Sequence, residues 1–353
     1  MAPSLPPPAS PAPIACSIDL EPPGKRLGHL RLSWSDDERA YGVIPVPIAV
    51  IRGGDGPTAL LTAGVHGDEY EGLTIARRLL AELEPADVPG RLIIMPGVNW
   101  PAVEARTRTS PIDRQNMNRA FPGHPSSGPT AMIADFIERA ILPRIALAID
   151  LHSGGSKSIY LPCGYVYGMG DRAFRARKLA AAHAFGAPVT AVVTATSSSG
   201  SLSAACERHG VPMIATELGG GARLDPDAFR IGWEGCLNLL RHTGVLAGES
   251  AARRTALLHT ANASATLMAP IDGLFEAAFR LGDDVTAGMR AGLIWPMDDL
   301  GREPAPVVFG ASGKVLCVRT MPMVRRGDFL GHTGEPMSDH AFLGVPDLLG
   351  DAT

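Results

Sequence analysis

The sequence predicts an α/β fold built on a largely parallel sheet, followed by a small all-β domain at about residues 260–345. Three observations carry this. Four short, unbroken apolar runs, at 58–63, 91–95, 145–151 and 211–216, have the length and composition of strands buried on both faces. Segments with apolar residues at helical spacing separate them, the alternation expected of a parallel sheet with crossover helices. From about residue 260, helical periodicity stops and short β-prone runs punctuated by Gly and Pro take over.

Taken in order, residues 1–29 are expected to form a flexible N-terminal tail that opens with the proline-rich MAPSLPPPASPAP. This segment lacks the basic start and apolar core of a secretory signal. Residues 30–32 and 43–51 are expected as strands, the second interrupted by Pro45 and Pro47. Helices are expected over 71–83, 130–141, 172–185, 202–208 and 227–241, which completes a catalytic domain over 30–250. Small and charged residues at 247–265 suggest a linker. Two Gly-Asp turns beyond it, RLGDDVTAG and VRRGDFLG, suggest a small sandwich or barrel like a biotinyl or lipoyl carrier. No lysine occupies a hairpin tip there, so a structural or interface role is expected instead.

Composition limits the functions available. The chain has 353 residues, 45% of them hydrophobic and 19% charged, with a formal net charge of −4. No basic patch suggests nucleic acid as a partner. No apolar run is long enough to span a membrane. Cys16, Cys163, Cys206, Cys236 and Cys317 are few, odd in number and without CxxC spacing, which predicts free thiols in a reducing cytoplasm. Homo-oligomer formation is left open.

Ligands of open α/β sheets bind beyond the carboxyl ends of the strands. The segments following the four apolar runs are GVHGDEYEG (64–72), PGVNWP leading to RTRTSPIDRQNMNR (106–119), His152-Ser-Gly-Gly, and Glu217-Leu-Gly-Gly-Gly. His66 and Glu69, three residues apart at a strand-to-helix junction, can point to one centre. With His152 from the same sheet edge they make a His₂Glu set, which leaves a catalytic zinc an open position. Glu217, between an apolar strand and three glycines, is placed to be desolvated and to move protons as a general base. Asn116, Asn118 and Arg119 form a polar cluster suited to a substrate carboxylate. Arg108 is a candidate for stabilising an oxyanion, in competition with Arg106 and Arg114. His124, His183, His209 and His242 have no partner at ligand spacing and are read as surface or core residues.

HGDE at 66–69, NMNR at 116–119, DLH at 150–152 and TELGGG at 216–221 together resemble the succinylglutamate desuccinylase/aspartoacylase family, part of the wider zinc carboxypeptidase-like group. The resemblance covers roughly residues 40–245, and the appended β-domain also fits it. It implies a zinc carboxypeptidase-like mixed sheet with helices on both faces. It also implies one Zn²⁺ held by His66, Glu69 and His152, Glu217 as general base, and Asn118 and Arg119 on the substrate carboxylate. The loop between Arg108 and Asn118 is longer than in aspartoacylases. Within the family, GVHGDEYEG, RTSPIDRQNMNRAFPG, DLHSGG and TELGGGA are most similar to the N-acetyl-2,4-diaminobutyrate deacetylases of ectoine breakdown. That implies a small N-acyl amino acid as substrate. The alternatives are deacylation of another N-acyl amino acid, a metallocarboxypeptidase, or a non-catalytic zinc protein.

Overall fold

The structure is a computed structural model that describes residues 14–345, apart from 36, 38–39, 195–198, 252 and 261–262. Its first strands are β1 (Ile14–Cys16), β2 (Gly24–Trp34), β3 (Gly42–Arg52), β4 (Thr58–Ala63), β5 (Arg91–Met95) and β6 (Leu147–Leu151). The chain continues through β7 (Ser158–Tyr160), β8 (Cys163–Tyr167), β9 (Val189–Val193), β10 (Met213–Glu217) and β11 (Ala256–His259). The C-terminal part contains β12 (Thr266–Met268), β13 (Gly273–Ala277), β14 (Asp284–Val285), β15 (Arg290–Trp295) and β16 (Ala305–Val308). Then come β17 (Gly313–Arg319), β18 (Met323–Val324) and β19 (Phe329–Met337). The helices are α1 (Tyr70–Glu82), α2 (Trp100–Ala105), α3 (Pro129–Phe136), α4 (Arg172–Phe185), α5 (Leu202–Arg208), α6 (Pro226–His242) and α7 (Asp339–Leu343).

Strands lie in the order β1-β2-β3-β5-β4-β6-β10-β8-β9-β11-β19-β17-β14. The centre, β5-β4-β6-β10, is parallel throughout, and β8-β9-β11 forms a second parallel group. The flanks and the β10–β8 junction are antiparallel. The sheet is therefore mixed and largely parallel at its centre, and the two sides of each central strand feed different cores. Leu61, Ile94 and Ile149 pack with Ile75, Phe185 and Leu239 of α1, α4 and α6, whereas Leu60, Ile93 and Ala148 pack with Ile133 and Leu202 of α3 and α5. Strand alternation thus sends successive side chains to helices on opposite faces.

Helix ends follow their sequence signals. The side chains of Asp171, Ser201 and Asp225 accept backbone N–H groups at the starts of α4, α5 and α6. Gly186, left-handed at φ 71°, ends α4. The expected helix over 130–141 is an α-helix only to Phe136, after which a π turn covers Ile137–Ile141.

Three expectations about organisation need correcting. The tail does not extend through residue 29, because β1 and β2 join the sheet edge and their Leu30 and Leu32 are fully buried. Residues 1–13 lie outside the described residues. Strand β3 also passes through Pro45 and Pro47, since its second neighbour, β5, pairs only with 49–52 and no ladder bond on that side is lost. Finally, the stretch expected as a linker contains β11, which pairs with β9 on one side and β19 on the other. The C-terminal part is therefore not a separate appendage. Strand β19 continues the main sheet, while β16-β15-β13-β18 form a second, four-stranded antiparallel sheet.

The five cysteines are unpaired. Among the described residues, no helix is long and apolar enough to cross a membrane.

Candidate metal centre and active site

Neighbouring parallel strands bring the chemical residues together. Strands β4 and β6 pair with Ala63 opposite Leu151, so the loop carrying His66 and Glu69 leaves the sheet beside His152. On the other side of β6, Ala215 pairs with Asp150, which puts Glu217 level with His152. The Leu218 N–H donates to the His152 carbonyl and locks that junction. The turn after β4 has no room for a side chain at position 67: a Cβ on Gly67 would lie 1.8 Å from the carbonyl oxygen of Ala102. Gly64 turns there at φ 73°.

His66, Glu69 and His152 are buried and offer three ligand atoms within 4.8 Å of one another. His66 Nδ1 lies 2.7 Å from Glu69 Oε1, and His152 Nδ1 lies 2.9 Å from Glu69 Oε2. The far nitrogen of each imidazole is held by an oxygen. Asn116 Oδ1 accepts from the Asn118 N–H at 2.9 Å, so it is the amide oxygen, and His66 Nε2, 3.1 Å away, donates to it. Likewise His152 Nε2–H donates to Asp150 Oδ2 at 2.9 Å, while Asp150 Oδ1 accepts the Thr62 hydroxyl at 2.7 Å. Both Nδ1 atoms thereby face the Glu69 carboxylate, with outer partners of the kind that orient metal-ligating histidines.

The electrostatics also favour a cation. Burial alone would raise the Glu69 pKa, but the His152 and His66 imidazoles outweigh it and hold it at about 2. Burial would lower His152, yet the Asp150 and Glu69 carboxylates hold it well above the usual histidine range. A positive charge is stabilised at this point, and a divalent metal can replace the proton on Nδ1 and release it. Two imidazoles and one carboxylate suit zinc and leave room for a further ligand. The residues present therefore fit the metal.

The same edge opens into a cavity of about 680 Å³, lined by the three donors and by Glu217, Arg108, Asn118 and Arg119 among others. Burial, then the negative charge of Glu69, pushes the Glu217 carboxyl well above its ordinary value, and Oε2 has no hydrogen-bond partner among the described residues. Arg108 Nη1 lies 3.4 Å from His66 Nδ1 and 3.9 Å from Glu69 Oε1, facing the donor set. Its rival Arg106 also lines the cavity, whereas Arg114 does not. Asn118 and Arg119 lie next to one another on the wall, with Arg119 Nη1 donating to the Asn118 carbonyl at 2.6 Å. Asn116 was expected beside them. Its side-chain oxygen is instead committed to His66 and the Asn118 N–H, and it does not line the cavity.

Other residues of the site carried weaker signals in the sequence. Asp150 stands two positions before His152 on β6, where alternation returns a side chain to the same face. Tyr165 and Tyr167 follow the same period of two in β8, and both line the cavity.

Residues 55–243 match the family described as succinylglutamate desuccinylase/aspartoacylase catalytic domain. The chain is 38% identical to the N-alpha-acetyl-L-2,4-diaminobutyric acid deacetylase of Halomonas elongata over 92% of this chain and 96% of that protein. It is similar to the product-bound structure of the ectoine utilization protein EutE (DoeB) from Ruegeria pomeroyi, with a TM-score of 0.89 and 38% identity over 93% of this chain and 100% of that one. A succinylglutamate desuccinylase from Silicibacter sp. TM1040 gives a TM-score of 0.89 at 37% identity, over the same shares of the two chains.

Proposed function

The chain belongs to the succinylglutamate desuccinylase/aspartoacylase family, and we propose that it is a zinc-dependent amidohydrolase that removes acetate from N-α-acetyl-L-2,4-diaminobutyrate. One observation carries the chemistry: His66 Nδ1, His152 Nδ1 and the Glu69 carboxylate converge beside a half-buried Glu217 whose Oε2 is shielded from solvent. The substrate is supported by the likeness to the Halomonas deacetylase and to EutE, along nearly the whole of each chain.

When bound, zinc supplies Lewis acidity, which polarises an amide carbonyl and makes water acidic enough to lose a proton near neutral pH. The protein's own groups do the rest. Glu217 takes a proton from the attacking water as its oxygen forms a bond to the acetyl carbon. The C–N bond then breaks, and Glu217 returns the proton to the departing amine. The proton left on the new carboxyl group passes to the amine as well, so acetate and a free amino acid in its ammonium form result, with atoms and charge balanced. Its desolvated position suits Glu217 to hold a proton between these two steps. Arg108, facing the donor set, stabilises the oxyanion. Asn118 and Arg119 hold the α-carboxylate so that the amide enters in one orientation. Asn116 acts through His66, as a positioning residue rather than a substrate contact.

Phe329 of β19 reaches the cavity wall. The C-terminal part thus contributes to the wall, and we infer that it favours a small acyl amino acid over a peptide. Acetate release from N-α-acetyl-2,4-diaminobutyrate, N-acetylaspartate and N-succinylglutamate tests the reading. Selective cleavage of the first supports it, and cleavage of only the others would replace the substrate.

A further inference from the structure

On the reading just proposed, the substrate carries a side-chain ammonium as well as an α-carboxylate, and the cavity must recognise both. Most of the acidic groups that line it are already engaged. Glu69 faces the two imidazoles, and Asp150 is held by Thr62 and His152. Asp68 is folded against the 155–156 backbone: Oδ2 accepts the Ser156 N–H at 2.8 Å, and a Cβ built on Gly155 would lie 2.8 Å from it. Glu217 serves the reacting amide. Of these groups only Asp68 Oδ1, buried and without a hydrogen-bond partner among the described residues, is left to share an ammonium.

Strand β8 offers something different. It pairs antiparallel with β10, Cys163 opposite Glu217 and Tyr165 opposite Ala215. Residues 163, 165 and 167 therefore share a face with Glu217. The small Ala215, opposite Tyr165, lines the cavity with it. The two tyrosine rings meet edge to face, with centroids 5.7 Å apart, and both line the cavity. Tyr167 lies within the electrostatic reach of His152, Glu217, Arg119 and Glu207. Its hydroxyl has no hydrogen bond from another described residue.

We propose that Tyr165 and Tyr167 determine side-chain specificity, forming an uncharged aromatic wall that selects a short cationic side chain on the amine product. A ring face attracts an ammonium within about 6 Å of its centroid, and the phenol oxygen of Tyr167 can accept a hydrogen bond from it. An acidic residue in the same position would pair with Arg119 and weaken the grip on the α-carboxylate. Tyrosine draws in the cation without competing for the arginine. An acidic substrate side chain gains nothing from these rings and meets their negative faces.

The test is binding of the amine product to the zinc-loaded full chain by calorimetry, comparing 2,4-diaminobutyrate with norvaline, in which a methyl group replaces the ammonium. The wild-type protein is expected to prefer the cation by at least about ten-fold, roughly 1.4 kcal/mol. Tyr167→Leu and Tyr165→Leu should reduce that ratio several-fold while norvaline binding holds, which also reports that the site is folded. Tyr167→Phe, which keeps the ring, should retain most of the preference. An unchanged ratio in both leucine variants, or no preference in the wild type, would overturn the assignment. Absence of acetate release despite a preserved preference would count against the deacetylase reading alone.

Discussion

The side-chain oxygen of Asn116 accepts from the His66 imidazole and from the backbone N–H of Asn118 at the same time. One acceptor thus joins a proposed metal ligand to the proposed clamp loop, and its loss should be felt first at the metal. Asn116→Ala is expected to weaken zinc binding by about 10–100-fold, the range for removing an outer partner of a ligating histidine, as read by competition with a chelator. Asn118→Ala should instead raise KM with little change in metal content. Glu217→Gln keeps the shape of the side chain and removes its basicity. Acetate release should fall by about 10²–10⁴-fold, the usual contribution of a positioned general base, while zinc remains bound. Near-normal turnover in that variant would remove Glu217 from the chemistry.

At the scale of elements, the strand-to-helix turns carry the site, and their glycines set its precision. A Cβ at Gly67 would meet the carbonyl oxygen of Ala102 at 1.8 Å, so α2 could not pack where it does. Gly67→Ala is expected to cost about 1–3 kcal/mol or more, measured from the denaturant midpoint, and to reduce zinc occupancy because His66 must shift. The sequence reveals these turns because fully buried strands are unbroken apolar runs, and residues 58–63 and 91–95 form strands with the predicted bounds. Less legible were β7, β8 and β9, which are short or interrupted by polar residues and borrow their order from neighbours. That is why Tyr165 and Tyr167 carry little signal in the sequence while His66, Glu69, His152 and Glu217, in the segments that follow apolar runs, stand out. Asn116 shows a different limit. Spacing brought it close to Asn118 and Arg119, but only the fold determines which way an amide on a loop turns.

At the scale of the whole molecule, the N- and C-terminal parts share one sheet. Strand β11 pairs with both β9 and β19, and β7 pairs with β17. The small and charged residues of 247–265 suggested a linker because local composition does not report strand pairing across the chain. Cutting the chain after residue 260 would leave the edge of β11 unpaired and uncover Leu257 and Leu258, both buried in the intact protein. Such a fragment is expected to aggregate or unfold rather than retain zinc, as checked by size-exclusion chromatography and circular dichroism. A soluble, metal-loaded fragment would mean that the two parts are independent after all. The most direct test of the central claim is the metal content of the purified full chain, measured by mass spectrometry beside its His152→Ala variant. The expected result is about one zinc per chain in the wild type and almost none in the folded variant, with loss of acetate release. Zinc retained at full stoichiometry without His152, or active protein that holds no metal, would contradict it.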